Sequence, residues 1–316
     1  MDKSEKTIIE HIPKFLEYAD IEKGLSVSSQ ETYARLLKKL IFWLKQNKLE
    51  HLKPHELLSS HIWDFRVYLS RAINKNTKEP LKKTTQNHYL IAFRNLLTYF
   101  ADRDILSLPP EKIKLAREKK EKIVKFLSLD QIKKLIEAPN TSTLTGSRDQ
   151  AIIETLFSTG TRVAELTSLN KEQIKTKPDA KDLEITIIGK GSHPRIVYFS
   201  ERAMDSLRNY LKTRSDDKEK ALFINYKGPK KASRRLTTRS IENIIKKYTI
   251  KAGLPITTTV HTLRHSFATD LLTQGVDLRI IQEFLGHKNI STTQIYTHMT
   301  NKHLREIHRK FHGGRI

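Results

Sequence analysis

The sequence predicts a mainly α-helical chain of two domains: an N-terminal four-helix bundle and a C-terminal α-rich domain with one small antiparallel β-sheet. Three observations lead there. Apolar residues recur at amphipathic-helix spacing through most of residues 1–105. Pro109-Pro110 then stops that pattern, and a Lys-dense stretch follows. The period changes in LEITIIGKGSHPRIVYFS, where β-rich segments flank a Gly-Lys-Gly-Ser turn and read as a hairpin.

Each element follows from its own residues. Ile8, Ile9, Ile12, Phe15 and Leu16 mark the first helix. A second is expected from Ser28 or Ser29, with Tyr33, Leu36, Leu37, Leu40, Ile41 and Leu44 on its apolar side. A third covers about 59–72 (Ile62, Phe65, Leu69). The fourth covers 83–102 (Tyr89, Leu90, Phe93, Leu96, Leu97, Phe100). Together they make residues 1–108 a small bundle with basic outer faces. Residues 109–125, including KIKLAREKKEKIVK, read as a basic linker, either a solvated tether or a strap along a phosphate backbone. The second domain spans 126–316. It opens with a helix capped by Ser128 or Asp130, then one ending at Gly160, then TRVAELTSL and the hairpin. Further helices are expected at about 201–213, 238–250, 262–273, 278–285 and 291–297, and Leu304, Ile307 and Phe311 share one face of the tail.

Composition narrows the function. The 316 residues carry 58 Lys+Arg against 35 Asp+Glu, a formal charge of +23. Such a surplus suits a polyanion, because each neutralised phosphate releases condensed counterions, so nucleic acid is the expected partner. An anionic membrane would need an amphipathic anchor or a lipidation site, and neither is found. The absence of cysteine excludes disulfides, thiolate metal sites and a Cys nucleophile, and it fits a reducing cytoplasm. The polar start MDKSEKT is not a signal peptide, no apolar run reaches membrane-span length, and no GxxxxGK[ST] loop is present. The chemistry is therefore expected to run without ATP.

Several residues have the character such chemistry needs. In HTLRH, His261 and Arg264 lie one helical turn apart on the same side, an imidazole beside a guanidinium fork suited to a phosphate. Gly286-His287 follows a short helix capped by Asp277, so His287 projects from a C-cap. Ser291 or Thr292 opens a short helix presenting Tyr296, whose phenol becomes a nucleophile only if nearby cations stabilise its anion. Arg162 sits at a helix start, with Glu165 about one turn on to orient it. Lys190 stands at the hairpin tip between Gly189 and Gly191. Each also has an ordinary reading: a surface cluster, a capping histidine, a packed tyrosine, an ion pair, a turn lysine.

Taken together and in this order, STGTRVAEL, GKGSHPRIVYF, HTLRHSFATDLLTQGVDLRIIQEFLGH and STTQIYTH resemble the tyrosine recombinases of the phage-integrase family, Xer type, over about 126–300. The four-helix front half resembles, less specifically, that family's SAM-like core-binding domain. The resemblance implies a site-specific DNA recombinase. Tyr296 would be the nucleophile that leaves a 3′-phosphotyrosyl link, and Arg162 and Arg264 the clamp on the non-bridging oxygens. Lys190 would be the general acid, His261 the handler of the tyrosine proton, and His287 a support for the transition state. It also implies double-stranded DNA as partner, a homo-tetramer on synapsed DNA, a Holliday junction, strand exchange without ATP, metal or other cofactor, and a C-terminal helix that is lent to a neighbouring protomer or, alternatively, packs on its own domain. The tail FHGGRI departs from the family's usual ending. Arg195 fits a basic position of the pattern and is expected at the DNA backbone, as are Lys230, Lys231, Arg234 and Arg235 of the basic stretch 227–235, with an exposed solvated loop as the alternative. Three rivals stand beside this reading. A type IB topoisomerase would relax plasmid lacking any target site. A non-catalytic DNA-binding protein of the same fold would trap no covalent complex. A histidine metal site, with 13 His available, lacks any HExxH spacing.

Overall fold

Residues 1–74, 77–116, 125–174, 183–189, 194–214, 219–227 and 233–286 are described by a computed structural model. The chain divides into two units, Met1–Glu121 and Lys122–Ile316. The N-terminal unit holds α1 (Ile8–Ile21), α2 (Val27–Gln46), α3 (Ser59–Arg71) and α4 (Lys83–Asp102). Thr7 starts α1 with a capping box: its hydroxyl accepts from Glu10 N–H, and the Glu10 carboxylate accepts from Thr7 N–H. Helix α2 begins earlier than its serines suggested, because the Ser26 carbonyl already accepts from the Ser29 and Gln30 amides. The expected apolar stripes face inward, and Ile8, Phe15, Leu37, Leu40, Phe65, Leu69, Phe93, Leu96 and Phe100 form one core.

The first part of the expected basic linker, residues 109–116, packs on the N-terminal unit. Ile113 is buried in the bundle core, and Arg66 donates to the Lys114 carbonyl. Asn87 donates to the Ala116 carbonyl at 2.9 Å and accepts from its amide at 3.1 Å. Residues 109–116 therefore pack on the bundle, held by buried Ile113, by partly buried Leu115 and by a paired amide. Residues 117–124 lie outside the described set.

The C-terminal unit is built around α6 (Leu144–Thr159), which contacts α5 (Leu129–Glu137), α8 (Glu201–Lys212), α9 (Thr238–Lys251), α10 (Val260–Thr273) and the second strand of the hairpin. Buried on most sides, α6 carries Ile152, Ile153 and Leu156 into the core together with Arg148, Asp149 and Glu154. The buried charges have partners: Arg148 binds Asp149 and the Ile224 carbonyl, and Tyr248 donates to Asp149 at 3.0 Å. Strands β1 (Leu183–Ile188) and β2 (Pro194–Phe199) pair antiparallel with Leu183 opposite Phe199. Ile185, Ile187, Val197 and Phe199 face the core, whereas Ile188, Ile196 and Tyr198 are exposed. Helix α7 (Val163–Ser168) follows the α6 stop, and α11 (Leu278–Leu285) packs on α10 through Ile281, Leu285 and Ala268. Among the described residues no helix is long and apolar enough to cross a membrane.

Candidate active site

Local backbone chemistry sets the position of each side chain. Helix α6 ends at Gly160, left-handed at φ 58°, and two residues later Arg162 occupies the N-cap of α7. Glu165 makes the reciprocal contact expected of it. Its carboxylate accepts from the Arg162 amide at 2.7 Å and from Arg162 Nη1 at 2.9 Å. Helix α10 is started by a Thr259–Thr262 capping box, which places His261 and Arg264 in its first turns. Arg162, His261 and Arg264 line one cleft of about 690 Å³.

Arg264 is 2% exposed. Its Nη1 donates to the Gly160 carbonyl at 2.6 Å and its Nη2 to the Leu285 carbonyl at 2.5 Å, so it joins the last turns of α6 and α11. His261 is held below its ordinary pKa, first by partial loss of hydration and then by the charges of Arg264 and Arg162. It is therefore neutral at pH 7, the state that accepts a proton. The His265 ring lies 4.2 Å from the His261 ring, edge to face, and is held at about 4 by burial, by His261 and by Arg264.

Two arginines expected at the DNA backbone have partners within the protein. Arg195 is 9% exposed at its side chain, and its two Nη atoms each meet a Glu165 carboxylate oxygen at 2.8 Å. Its Nε donates to the Phe284 carbonyl at 3.1 Å. Burial tends to raise the Glu165 pKa, but hydrogen bonds from Arg195 and Arg162 outweigh it and bring Glu165 down to about 2. Arg235 is likewise turned inward, donating to the carbonyls of Thr167 and Leu169 at 2.6 and 2.9 Å and to Asn170. Arg234 is half-buried, its amide donating to Glu219 at 2.9 Å. Arg195 and Arg235, expected at the DNA backbone, thus have guanidinium groups engaged by protein acceptors, as Arg264 also does. Lys190, His287, Tyr296, Lys230 and Lys231 lie outside the described residues.

The cleft also holds Arg239, Asn243 and Lys246 of α9, which the sequence reading did not single out. Their signal was present. Ile241, Ile244, Ile245 and Tyr248 form the buried stripe of α9, so residues 239, 243 and 246, at i, i+4 and i+7, share its opposite face.

Comparison with known proteins agrees with this layout. Residues 125–303 match the phage integrase family, and residues 12–104 match the phage integrase N-terminal SAM-like domain. Tyrosine recombinase XerC of Thermodesulfovibrio yellowstonii is 34% identical, covering 96% of each chain. Tyrosine recombinase XerD of Oceanobacillus iheyensis is 33% identical, over 95% of this chain and 97% of that one. Among solved structures, the XerA recombinase aligns at a TM-score of 0.51 with 29% identity, over 98% of this chain and 100% of that one. The XerH site-specific recombinase, bound to its palindromic difH substrate after cleavage, shares the fold at a TM-score of 0.72 with 23% identity, over 95% and 84% of the two chains. With both domain models matched in order and relatives of one kind similar along nearly the whole chain, this protein belongs to the phage integrase family of tyrosine recombinases.

Proposed function

We infer that this chain is a site-specific DNA recombinase that breaks and rejoins strands through a covalent bond to Tyr296. The observation that carries this reading is the convergence of Arg162, His261 and Arg264 on one cleft. Two guanidinium groups there hold the non-bridging oxygens of a scissile phosphate. Phosphoryl transfer needs mainly positioning and charge stabilisation, so cations around one phosphate suffice without a metal.

The steps balance. The Tyr296 phenol loses its proton to neutral His261, and its oxygen attacks phosphorus. The bond from phosphorus to the 5′-oxygen breaks, Lys190 protonates that oxygen, and His287 supports the transition state. A 3′-phosphotyrosyl link and a free 5′-hydroxyl remain. One phosphate ester has been exchanged for another, so the bond energy is kept and rejoining needs no ATP. Attack by a 5′-hydroxyl from a second duplex passes through a Holliday junction and requires several protomers on synapsed double-stranded DNA. An apolar groove of about 740 Å³ between α5, α6, β2, α10 and α11, lined by Phe157, Phe267, Leu271 and Phe284, suits the apolar face Leu304, Ile307 and Phe311 of a neighbouring copy's tail.

The test is a nicked duplex carrying the site that the wild-type protein selects from a randomised pool. Wild type is expected to accumulate a covalent protein–DNA adduct and Tyr296→Phe to form none. Equal adducts from both proteins would overturn the assignment.

A further inference from the structure

Arg162, Glu165, Arg195 and Arg264 belong to one closed circuit. Arg162 shares the Glu165 carboxylate with Arg195. Arg195 reaches the Phe284 carbonyl of α11, and Arg264 takes the next carbonyl, Leu285. The other arm of Arg264 returns to Gly160, two residues before Arg162. The circuit therefore passes through α7, β2, α11, α10 and the end of α6. Gly286 closes α11 in the left-handed region at φ 60°, and a Cβ there would stand 2.7 Å from Arg195 Cδ. Arg195 is thus packed directly against the residue from which the chain continues to His287 and Tyr296. It also stands five positions after Lys190 in the sequence.

We propose that Arg195 is a positioning residue for strand cleavage, holding Arg162 and the start of the tyrosine-bearing segment in one frame through its fork onto Glu165 and its bond to Phe284. This inference rests on the recombinase reading given above and adds a residue that touches no DNA. Planarity is what the position needs. A guanidinium offers parallel donors to both carboxylate oxygens and a third, from Nε, to the carbonyl. A lysine ammonium keeps the charge but cannot hold that geometry.

The experiment compares wild type, Arg195→Lys and the paired variant Glu165→Gln/Arg195→Gln, which leaves no lone charge buried. The probe is the nicked duplex selected by the wild-type protein. Three quantities are measured: the single-turnover rate of adduct formation at saturating DNA, the dissociation constant, and the dependence of binding on salt. A displacement of about an ångström costs a catalytic site about 100-fold. Both variants should therefore cleave about 100-fold more slowly while binding with wild-type affinity and an unchanged salt slope. A phosphate contact behaves in the opposite way, since its loss lowers the slope of log K against log salt by about one. A lowered slope, or a cleavage rate within threefold of wild type in the folded variants, would overturn the proposal. Adduct formation by Tyr296→Phe would instead strike the recombinase reading, so the two failures are distinguishable.

Discussion

Replacing Glu165 by Gln tests the electrostatics of the circuit most directly. The carboxylate is 5% exposed and faces two guanidinium groups, one of them, on Arg195, 9% exposed. Its pKa stands at about 2 against an ordinary 4.5. At about 1.4 kcal/mol per pKa unit, the difference of about 2.5 corresponds to roughly 3 kcal/mol of folding stability. Removing one partner of a buried ion pair gives an independent figure of about 3–5 kcal/mol. The pH dependence follows from the depressed value. The contribution is complete above about 4.5 and is lost as pH falls through about 2. Glu165→Gln is therefore expected to be about 3 kcal/mol less stable than wild type at pH 6, with the gap narrowing toward pH 2. The chain supplies its own control, because both of its tryptophans, Trp43 and Trp63, lie in the N-terminal unit. Urea unfolding followed by tryptophan fluorescence should be unchanged by the substitution, while the circular-dichroism transition of the second unit shifts. A gap under 1 kcal/mol at pH 6, an equal gap at pH 3, or an equal shift in the fluorescence transition would refute the reasoning.

His261 should take up a proton when a phosphate enters the cleft, because an anion between Arg162 and Arg264 offsets the charges that hold its pKa down. Calorimetric titration of Tyr296→Phe with DNA in two buffers of different ionisation heat near pH 6.5 should reveal that uptake, and His261→Gln should abolish it; equal uptake in both proteins would contradict the assignment. Gly160→Ala should cost about 3 kcal/mol, combining a left-handed alanine with a Cβ 2.5 Å from the Phe267 ring. Gly253→Ala, left-handed at φ 64° with nothing within 4 Å, should cost only about 1 kcal/mol. Indistinguishable unfolding temperatures for the two variants would show that the Phe267 contact is not a constraint.

What could be read from the sequence was whatever local periodicity controls. The four bundle helices, the hairpin, and the pairing of Arg162 with Glu165 depend on residues within a turn or two of one another. The inward turn of Arg195 was also encoded. It shares strand parity with Val197 and Phe199, both buried, whereas exposed Ile196 and Tyr198 alternate with them. Its charge suggested the surface, and only the buried carboxylate 30 residues away in the chain reverses that expectation. Arg235 misleads for the same reason, its acceptors being backbone carbonyls that no side-chain pattern announces. Packing of residues 109–116 depends on Asn87, 29 positions upstream of Ala116, and on the apolar pair Ile113 and Leu115.

The arrangement of charge explains why Glu165 lies among arginines in the cleft proposed to take a phosphate. A cleft with only guanidinium groups would repel its own members until DNA arrived. The carboxylate offsets that repulsion, and its geometry divides the work. It draws Arg195 wholly inward, where the fork is saturated, but meets Arg162 through one side-chain donor and leaves that residue 32% exposed. One anion thus keeps two cations close while leaving the cleft-facing one exposed to an incoming phosphate. The same division holds on the other side. Arg264 is anchored by carbonyls, which carry no net charge and leave its full positive charge acting on the cleft. The lowered pKa of His261 registers that charge, since both Arg264 and Arg162 contribute to it.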